Sequence, residues 1–173
     1  MKITSIQTDI YWENIDGNLD QLTKIFKTIP PSDLVILPEM FTTGFTMNAQ
    51  KVAEKKEDKT LSWMKKMSNH YGVMIMGSIP VIEKKQYYNR LFVVHNDKID
   101  YYDKRHLFSM ANEDQTYSSG SSSIIIEFKG WKIMPLICYD LRFPVWSRNY
   151  IKDKKYKYDI LIYLSLIHIS EPT

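Results

Sequence analysis

Apolar positions recur along the chain in two rhythms, and their alternation outlines a fold. Leu19, Leu22, Ile25, Phe26 and Ile29 fall at three- and four-residue spacing, which predicts an amphipathic helix with Asp16 and Asn18 as start signals and Pro30 with Pro31 as its stop. Leu61, Met64, Met67 and Tyr71 repeat that rhythm, with Thr60 as the expected cap and Gly72 as the closing residue. Leu34, Val35, Ile36 and Leu37 are apolar at every position and too short for a helix, so they read as a strand covered on both faces. Residues 2–10, rich in Ile and Thr, predict a first strand, and residues 73–82, 90–95 and 99–103 predict a β-meander. Residues 124–128 and 132–138 form the next expected hairpin, around Lys129 and Gly130, with Pro135 pointing to a bulge or irregular pairing. A short helix over residues 143–150 and a buried strand over residues 159–163 complete the pattern. Helices alternating with strands and hairpins predict an α/β fold with a mixed sheet.

Composition narrows the class. A chain of 173 residues with 44% hydrophobic content can bury one sizeable core, so a single domain or a large part of one is expected and overall disorder is excluded. Its 23 basic and 20 acidic residues are interspersed and leave a net charge of +3, without the basic patch of a nucleic-acid binder. The Lys-rich pieces at residues 51–59 and 152–157 read as solvated faces or loops. No apolar run is long enough to span a bilayer, the first nine residues lack a signal-peptide core, and the single cysteine cannot form an internal disulfide. A cytoplasmic protein with neither nucleic-acid nor membrane partners is therefore expected. His70, His95, His106 and His168 are scattered without metal-ligand spacing, so no metal site is expected.

Three residues carry candidate chemistry, each with an ordinary alternative. Cys138 ends the apolar run of residues 133–137 and enters a polar turn, where a thiol is either inert packing or a nucleophile. Glu39 follows a buried strand in apolar or neutral surroundings, a costly place for a carboxylate that neither caps a turn nor works in a site. Lys104 closes the meander, and by composition alone it is a solvated strand end. The irregular, Ser-rich residues 107–123 hold Glu113 and Asp114 in a long loop, and long loops in compact domains are more often functional than idle.

The segments Leu37-Pro38-Glu39-Met40-Phe41, Tyr102-Asp103-Lys104-Arg105-His106-Leu107-Phe108 and Leu136-Ile137-Cys138-Tyr139-Asp140-Leu141-Arg142-Phe143-Pro144 resemble, in this order, the signature blocks of the nitrilase, or carbon-nitrogen hydrolase, superfamily. The fuller pieces over residues 39–45 and 140–148 resemble its omega-amidase branch. That resemblance implies an αββα sandwich and a catalytic triad of Glu39, Lys104 and Cys138, with Glu113 as an additional acidic residue and His106 flanking the lysine. It also implies an amidase that needs no cofactor, is a homodimer at full length, and releases ammonia from the terminal amide of a small 2-oxo dicarboxylate such as 2-oxoglutaramate through a Cys thioester. Lys104 and the backbone N–H of Tyr139 are the expected oxyanion donors. For the substrate carboxylate Arg142 is the candidate anchor, with an ion pair to Asp140 as its alternative.

Beyond Tyr163 the residues Leu164-Ser165-Leu166-Ile167-His168-Ile169-Ser170-Glu171-Pro172-Thr173 depart from the family pattern. The expectation is a partial hydrolase domain over residues 1–163 and a foreign tail over residues 164–173, with a C-terminal part of the domain missing. Two other functional readings accompany it: an inactive fragment with a binding or interaction role, and an amidase acting on a different amide or on an N-carbamoyl compound.

Overall fold

Apolar residues that alternate along the central strands sort to two faces, and each face closes a separate core. The computed structural model describes residues 1–55, 58–152 and 154–166. Its first half runs β1 (Ile3–Ser5), α1 (Ile15–Phe26), β2 (Leu34–Ile36), α2 (Ala49–Val52), α3 (Lys59–Tyr71), β3 (Met74–Glu83), β4 (Gln86–His95) and β5 (Lys98–Asp103). These strands form one mixed sheet in the order β1-β2-β3-β4-β5, parallel from β1 to β3 and antiparallel from β3 to β5. After a 3-10 turn at Ser109–Ala111 come α4 (Glu113–Thr116), β6 (Ile126–Phe128) and β7 (Trp131–Ile137). A 3-10 segment at Cys138–Arg142 then leads to α5 (Pro144–Ser147), the small hairpin β8 (Ile151–Lys152) with β9 (Lys155–Tyr156), and β10 (Ile160–Leu164). The second sheet has the order β10-β7-β6, with β10 parallel and β6 antiparallel to β7.

One core lies between the helices and the first sheet, where Leu19, Leu22 and Phe26 of α1 and Leu61, Met64 and Met67 of α3 cover Val35, Ile75 and Phe92. The other lies between the sheets, where Leu34, Met74, Met76, Leu91 and Val93 meet Ile133, Met134, Leu136 and Ile137. Val35 and Ile75 thus face the helices while their neighbours Leu34, Met74 and Met76 face the second sheet, as the two-residue period of a strand requires. The α, β and β layers of the sandwich are present. Only one-turn helices follow β7 among the described residues. None of the described helices is long and apolar enough to cross a membrane.

Several expected boundaries move for identifiable reasons. The first strand keeps only Ile3–Ser5. Asn14, not Asp16 or Asn18, starts α1 by accepting the N–H of Gly17 at 2.9 Å, while the buried Asn18 bonds the backbones of Tyr11 and Thr42. Thr60 lies inside α3, and the Glu54 carboxylate takes both its backbone N–H and its hydroxyl, so this helix start is capped from outside its own segment. Strand β4 begins at Gln86, four residues before the expected start at residue 90, and so takes Asn89 into the sheet. Pro135 pairs in register with Ile162 and forms no bulge; β6 reaches only to Ile133, so one side of β7 carries no ladder there. Part of the Lys-rich connector forms the β8–β9 hairpin. Strand β10 runs to Leu164, one residue past the expected domain boundary at Tyr163. His168 and residues 167–173 of the expected tail lie outside the described residues.

Gly120 locks the chain that leaves β5. Its N–H donates to the Lys104 carbonyl at 2.9 Å, its own carbonyl accepts from the Arg105 guanidinium at 2.9 Å, and a Cβ would stand 2.1 Å from the Asp103 carbonyl oxygen. Gly72, which ends α3 at φ +63°, has no atom within 4 Å of a built Cβ. Gly120→Ala is therefore expected to lower stability by roughly 1–3 kcal/mol through overpacking. Gly72→Ala should cost about 1 kcal/mol through backbone strain alone. Urea unfolding of the two variants checks the order, with Gly120→Ala the less stable.

Candidate active site

Glu39 enters the site because β2 ends at Ile36, Pro38 follows, and the next turn is bent tightly inward. Met40 has a φ of +46°, its N–H bonds the Ser78 hydroxyl at 3.0 Å, and Phe41 N–H reaches the Ser78 carbonyl. The Glu39 side chain is fully buried. Lys104 follows β5, tied through its backbone N–H to the Asn89 carbonyl at 3.0 Å, and is fully buried as well. Its ammonium lies 2.9 Å from Glu39 Oε1, 3.1 Å from Glu113 Oε1 and 2.9 Å from Glu113 Oε2, with the Phe45 ring 5.2 Å away. Asn89 Nδ2 donates to Glu39 Oε1 at 2.8 Å and to Glu113 Oε1 at 3.2 Å. The Phe108 N–H completes the hold on Glu113 at 2.6 Å. The neighbouring carboxylates of the long loop are thereby told apart: Glu113 is buried in this cluster and Asp114 is exposed.

Burial dominates the electrostatics. Desolvation raises the Glu39 pKa above the ordinary carboxylate value, with Lys104 and Asn89 pulling it back and Glu113 adding to the rise. For Lys104 desolvation opposes the charge, but Glu39 and Glu113 outweigh it and the pKa stands above that of a free lysine. Glu39 Oε2 is buried and takes no hydrogen bond from the described residues.

Cys138 opens the 3-10 segment directly after β7 with a φ of +41°, a left-handed conformation that a residue with a side chain adopts only under constraint. The constraint is Asp140. Its Oδ2 accepts the Ile137 N–H at 3.0 Å and the Tyr102 hydroxyl at 2.7 Å, and its Oδ1 accepts the His106 N–H at 3.0 Å. His106 Nδ1 lies 2.8 Å from the same Oδ1, which puts a proton on that nitrogen, and the imidazole stacks on Phe143 at 3.8 Å. Tyr102 in turn accepts from the Arg105 N–H and the Trp146 indole. One buried carboxylate thus fastens the loop bearing Lys104 to the turn bearing Cys138.

The thiol is half-buried, and burial pushes its pKa up from 9.0 to about 11, with the nearby Glu39 carboxylate adding to the rise and Ser165 and Lys104 opposing it. The Ser165 hydroxyl is 3.4 Å from the sulfur. Glu39 is near enough to act on the thiol's titration, although no sulfur–oxygen hydrogen bond of full geometry forms at Oε2. Such an arrangement can pass a proton from sulfur to carboxylate. A cavity of about 350 Å³ reaches the sulfur, lined by Phe108, Met110, Tyr139, Leu141, Arg142 and Tyr163 among others. Arg142 is exposed on its wall, and Asp140 is engaged with Tyr102 and His106 rather than with Arg142. Among the described residues no group of three His, Cys, Asp or Glu side chains suits a metal ion.

The structure thus brings Glu39, Lys104 and Glu113 into direct contact, with Cys138 beside them and Tyr139 and Arg142 on the cavity wall. Sequence reasoning missed Asn89, whose signal was a polar residue just before the apolar run Leu91 to Val94, and the tie from Tyr102 to Asp140.

The mixed sheet pair that carries this buried Glu-Lys-Glu cluster recurs in a known family. The family model described as carbon-nitrogen hydrolase matches residues 2–168, and the chain belongs to that family. It is 38% identical over 166 residues to the omega-amidase YafV of Escherichia coli K12, covering 95% of this chain and 62% of that protein. It is 33% identical over 153 residues to the 2-oxoglutaramate amidase of Bacillus subtilis 168, covering 86% and 59% respectively. The crystal structure of XC1258 from Xanthomonas campestris, a CN-hydrolase superfamily protein with an arsenic adduct in its active site, superimposes with a TM-score of 0.92 at 35% identity. That match covers 95% of this chain and 64% of the other. The chain therefore spans somewhat less than two thirds of the length of these relatives.

Removing the Tyr102 hydroxyl leaves Asp140, the Arg105 N–H and the Trp146 indole each short of a buried partner. Tyr102→Phe is expected to destabilise the fold by roughly 1–3 kcal/mol. Chemical denaturation measures this, and an unchanged midpoint would remove Asp140 from its role as the tie between the two loops.

Proposed function

We propose that the protein is an amidase of the omega-amidase kind, hydrolysing the terminal amide of a small 2-oxo dicarboxylate such as 2-oxoglutaramate. The observation that carries this reading is the convergence of Glu39, Lys104 and Cys138, from three separate strand ends, beside a cavity on which Arg142 is the one charged lining residue among the described residues. Relatives named for omega-amidase and 2-oxoglutaramate amidase activity support the substrate class.

In this mechanism Glu39 Oε2 takes the thiol proton as the sulfur attacks the amide carbon, and negative charge moves to the carbonyl oxygen. Lys104 and the backbone N–H of Tyr139 stabilise that oxyanion; a donor of this kind is typically worth about 10²–10³ in turnover. Glu39 then returns the proton to the amide nitrogen, the C–N bond breaks, and ammonia leaves a thioester on Cys138. A water molecule, losing its proton to Glu39, attacks the thioester; the C–S bond breaks, and the free acid and the thiol are restored. Glu113 holds Lys104 in place. Arg142 pairs with the substrate's distal carboxylate.

Ammonia release from 2-oxoglutaramate by the 173-residue chain tests the reading. Activity is expected with the native chain and none with Cys138→Ala; equal rates for the two would refute the assignment. Replacing Arg142 by Ala should raise KM for 2-oxoglutaramate well above any change for an uncharged amide, whereas equal changes would remove Arg142 as the anchor.

The pH dependence follows from the same groups. Glu39 must be ionised to act as base and its pKa is raised, so activity should fall on the acid side at a pH above the ordinary carboxylate value of 4.5. The thiol keeps its proton for Glu39 to take until about pH 11, so the alkaline limb should lie near that value. A profile of kcat/KM against pH measures both limbs.

A further inference from the structure

Asn89 stands in the interior of β4, a position for which asparagine has poor propensity, and it is fully buried. Burying an amide is costly unless it is hydrogen-bonded, and this one is satisfied on one end only. Its Nδ2 donates to Glu39 Oε1 and Glu113 Oε1, while its Oδ1 is buried with no partner among the described residues. The amide cannot turn over to relieve this, because Oδ1 would then face two carboxylate oxygens. The residue is thus held for what its NH₂ group does to the two acids.

We propose that Asn89 is a positioning residue that divides the two oxygens of Glu39, fixing Oε1 in the buried cluster and leaving Oε2 open to the Cys138 thiol. The inference rests on the reading of Glu39 as the base. Oε1 accepts from both Asn89 and Lys104, and Oε2 accepts from neither. The ionisable groups facing Glu39 are Lys104 after β5, Glu113 on α4 and Cys138 after β7. Lys104 brings one positive charge to two carboxylates. A second cation in place of Asn89 would pair Glu39 fully and depress its basicity, whereas a neutral donor fixes its geometry and stabilises its ionised form only in part. The Asn89 carbonyl also accepts the Lys104 N–H at 3.0 Å, so one residue sets the base through its side chain and the lysine through its backbone.

The test is the pH dependence of Cys138 alkylation by iodoacetamide in the 173-residue chain, which depends on the thiol and its base and not on the choice of amide. Asn89→Leu, close in volume and without donors, should move the acid limb of the Glu39–Cys138 pair to higher pH by about one unit. Asn89→Asp, also close in volume and adding a third carboxylate, should move it at least as far, and its profile decides the matter where the Leu variant does not fold. A rate lowered equally at every pH, with the limb in place, would make Asn89 a structural residue and overturn the proposal. Glu39→Gln separates the two readings: the limb set by the carboxylate should be lost, leaving only the thiol's own ionisation at more alkaline pH. A limb that stays at its original pH in Glu39→Gln refutes Glu39 as base and the proposal with it, whereas a limb that depends on Glu39 and not on Asn89 refutes the proposal alone.

Discussion

The structure depends on a lysine buried between two glutamates. Taking an ammonium and two carboxylates out of water costs several kcal/mol per ion, and attraction offsets this only where the geometry is close and the remaining lone pairs are bonded. Lys104 meets the first condition with three contacts of 2.9–3.1 Å, and Asn89 and the Phe108 N–H bond further lone pairs of the cluster, with Glu39 Oε2 alone among its glutamate oxygens taking no hydrogen bond from the described residues. The cluster draws on β2, β4, β5 and α4, so it can form only when the first sheet is complete and the loop after β5 is folded back. Gly120 enforces the second of these conditions by packing directly on the Asp103 and Lys104 backbone.

The cluster sits on the first sheet, whereas Cys138 belongs to the second. Two features bridge them. The apolar face between the sheets brings β7 against β3 and β4, which sets the height at which the strand ends. Asp140 then binds Tyr102, His106 and the Ile137 N–H, which holds the turn in register with the lysine loop and maintains the strained backbone at Cys138. The left-handed residue at the end of β7 lies on the wall of the cavity. Acid groups therefore serve two different ends in this fold. Glu39 and Glu113 surround a charge, and Asp140 fixes a backbone.

The arrangement of helices and strands was legible in the chain because it follows from periods of apolar residues. Leu34 to Leu37 and Ile133 to Ile137 lie between packed layers, and the spacing of Leu19, Leu22 and Phe26 fits one face of a helix. Cys138, Glu39 and Lys104 stood out as polar residues at the ends of such runs, and their blocks resembled one family. Residue type and local order therefore determined the fold class and the membership of the site. Tertiary structure alone decided the rest. Asn89 fell just outside the expected strand at residues 90–95, yet it lies in a strand because β3 and β5 pair with both sides of β4; Glu113 and Asp114 differ only in which one the loop turns inward. Asp140 offered Arg142 a partner within its own segment but bonds Tyr102 and His106, distant by more than thirty positions in the chain. Hydrogen bonds and ion pairs act over about 3 Å, and which groups come that close is set by the packing of whole layers, which no local pattern of residues records.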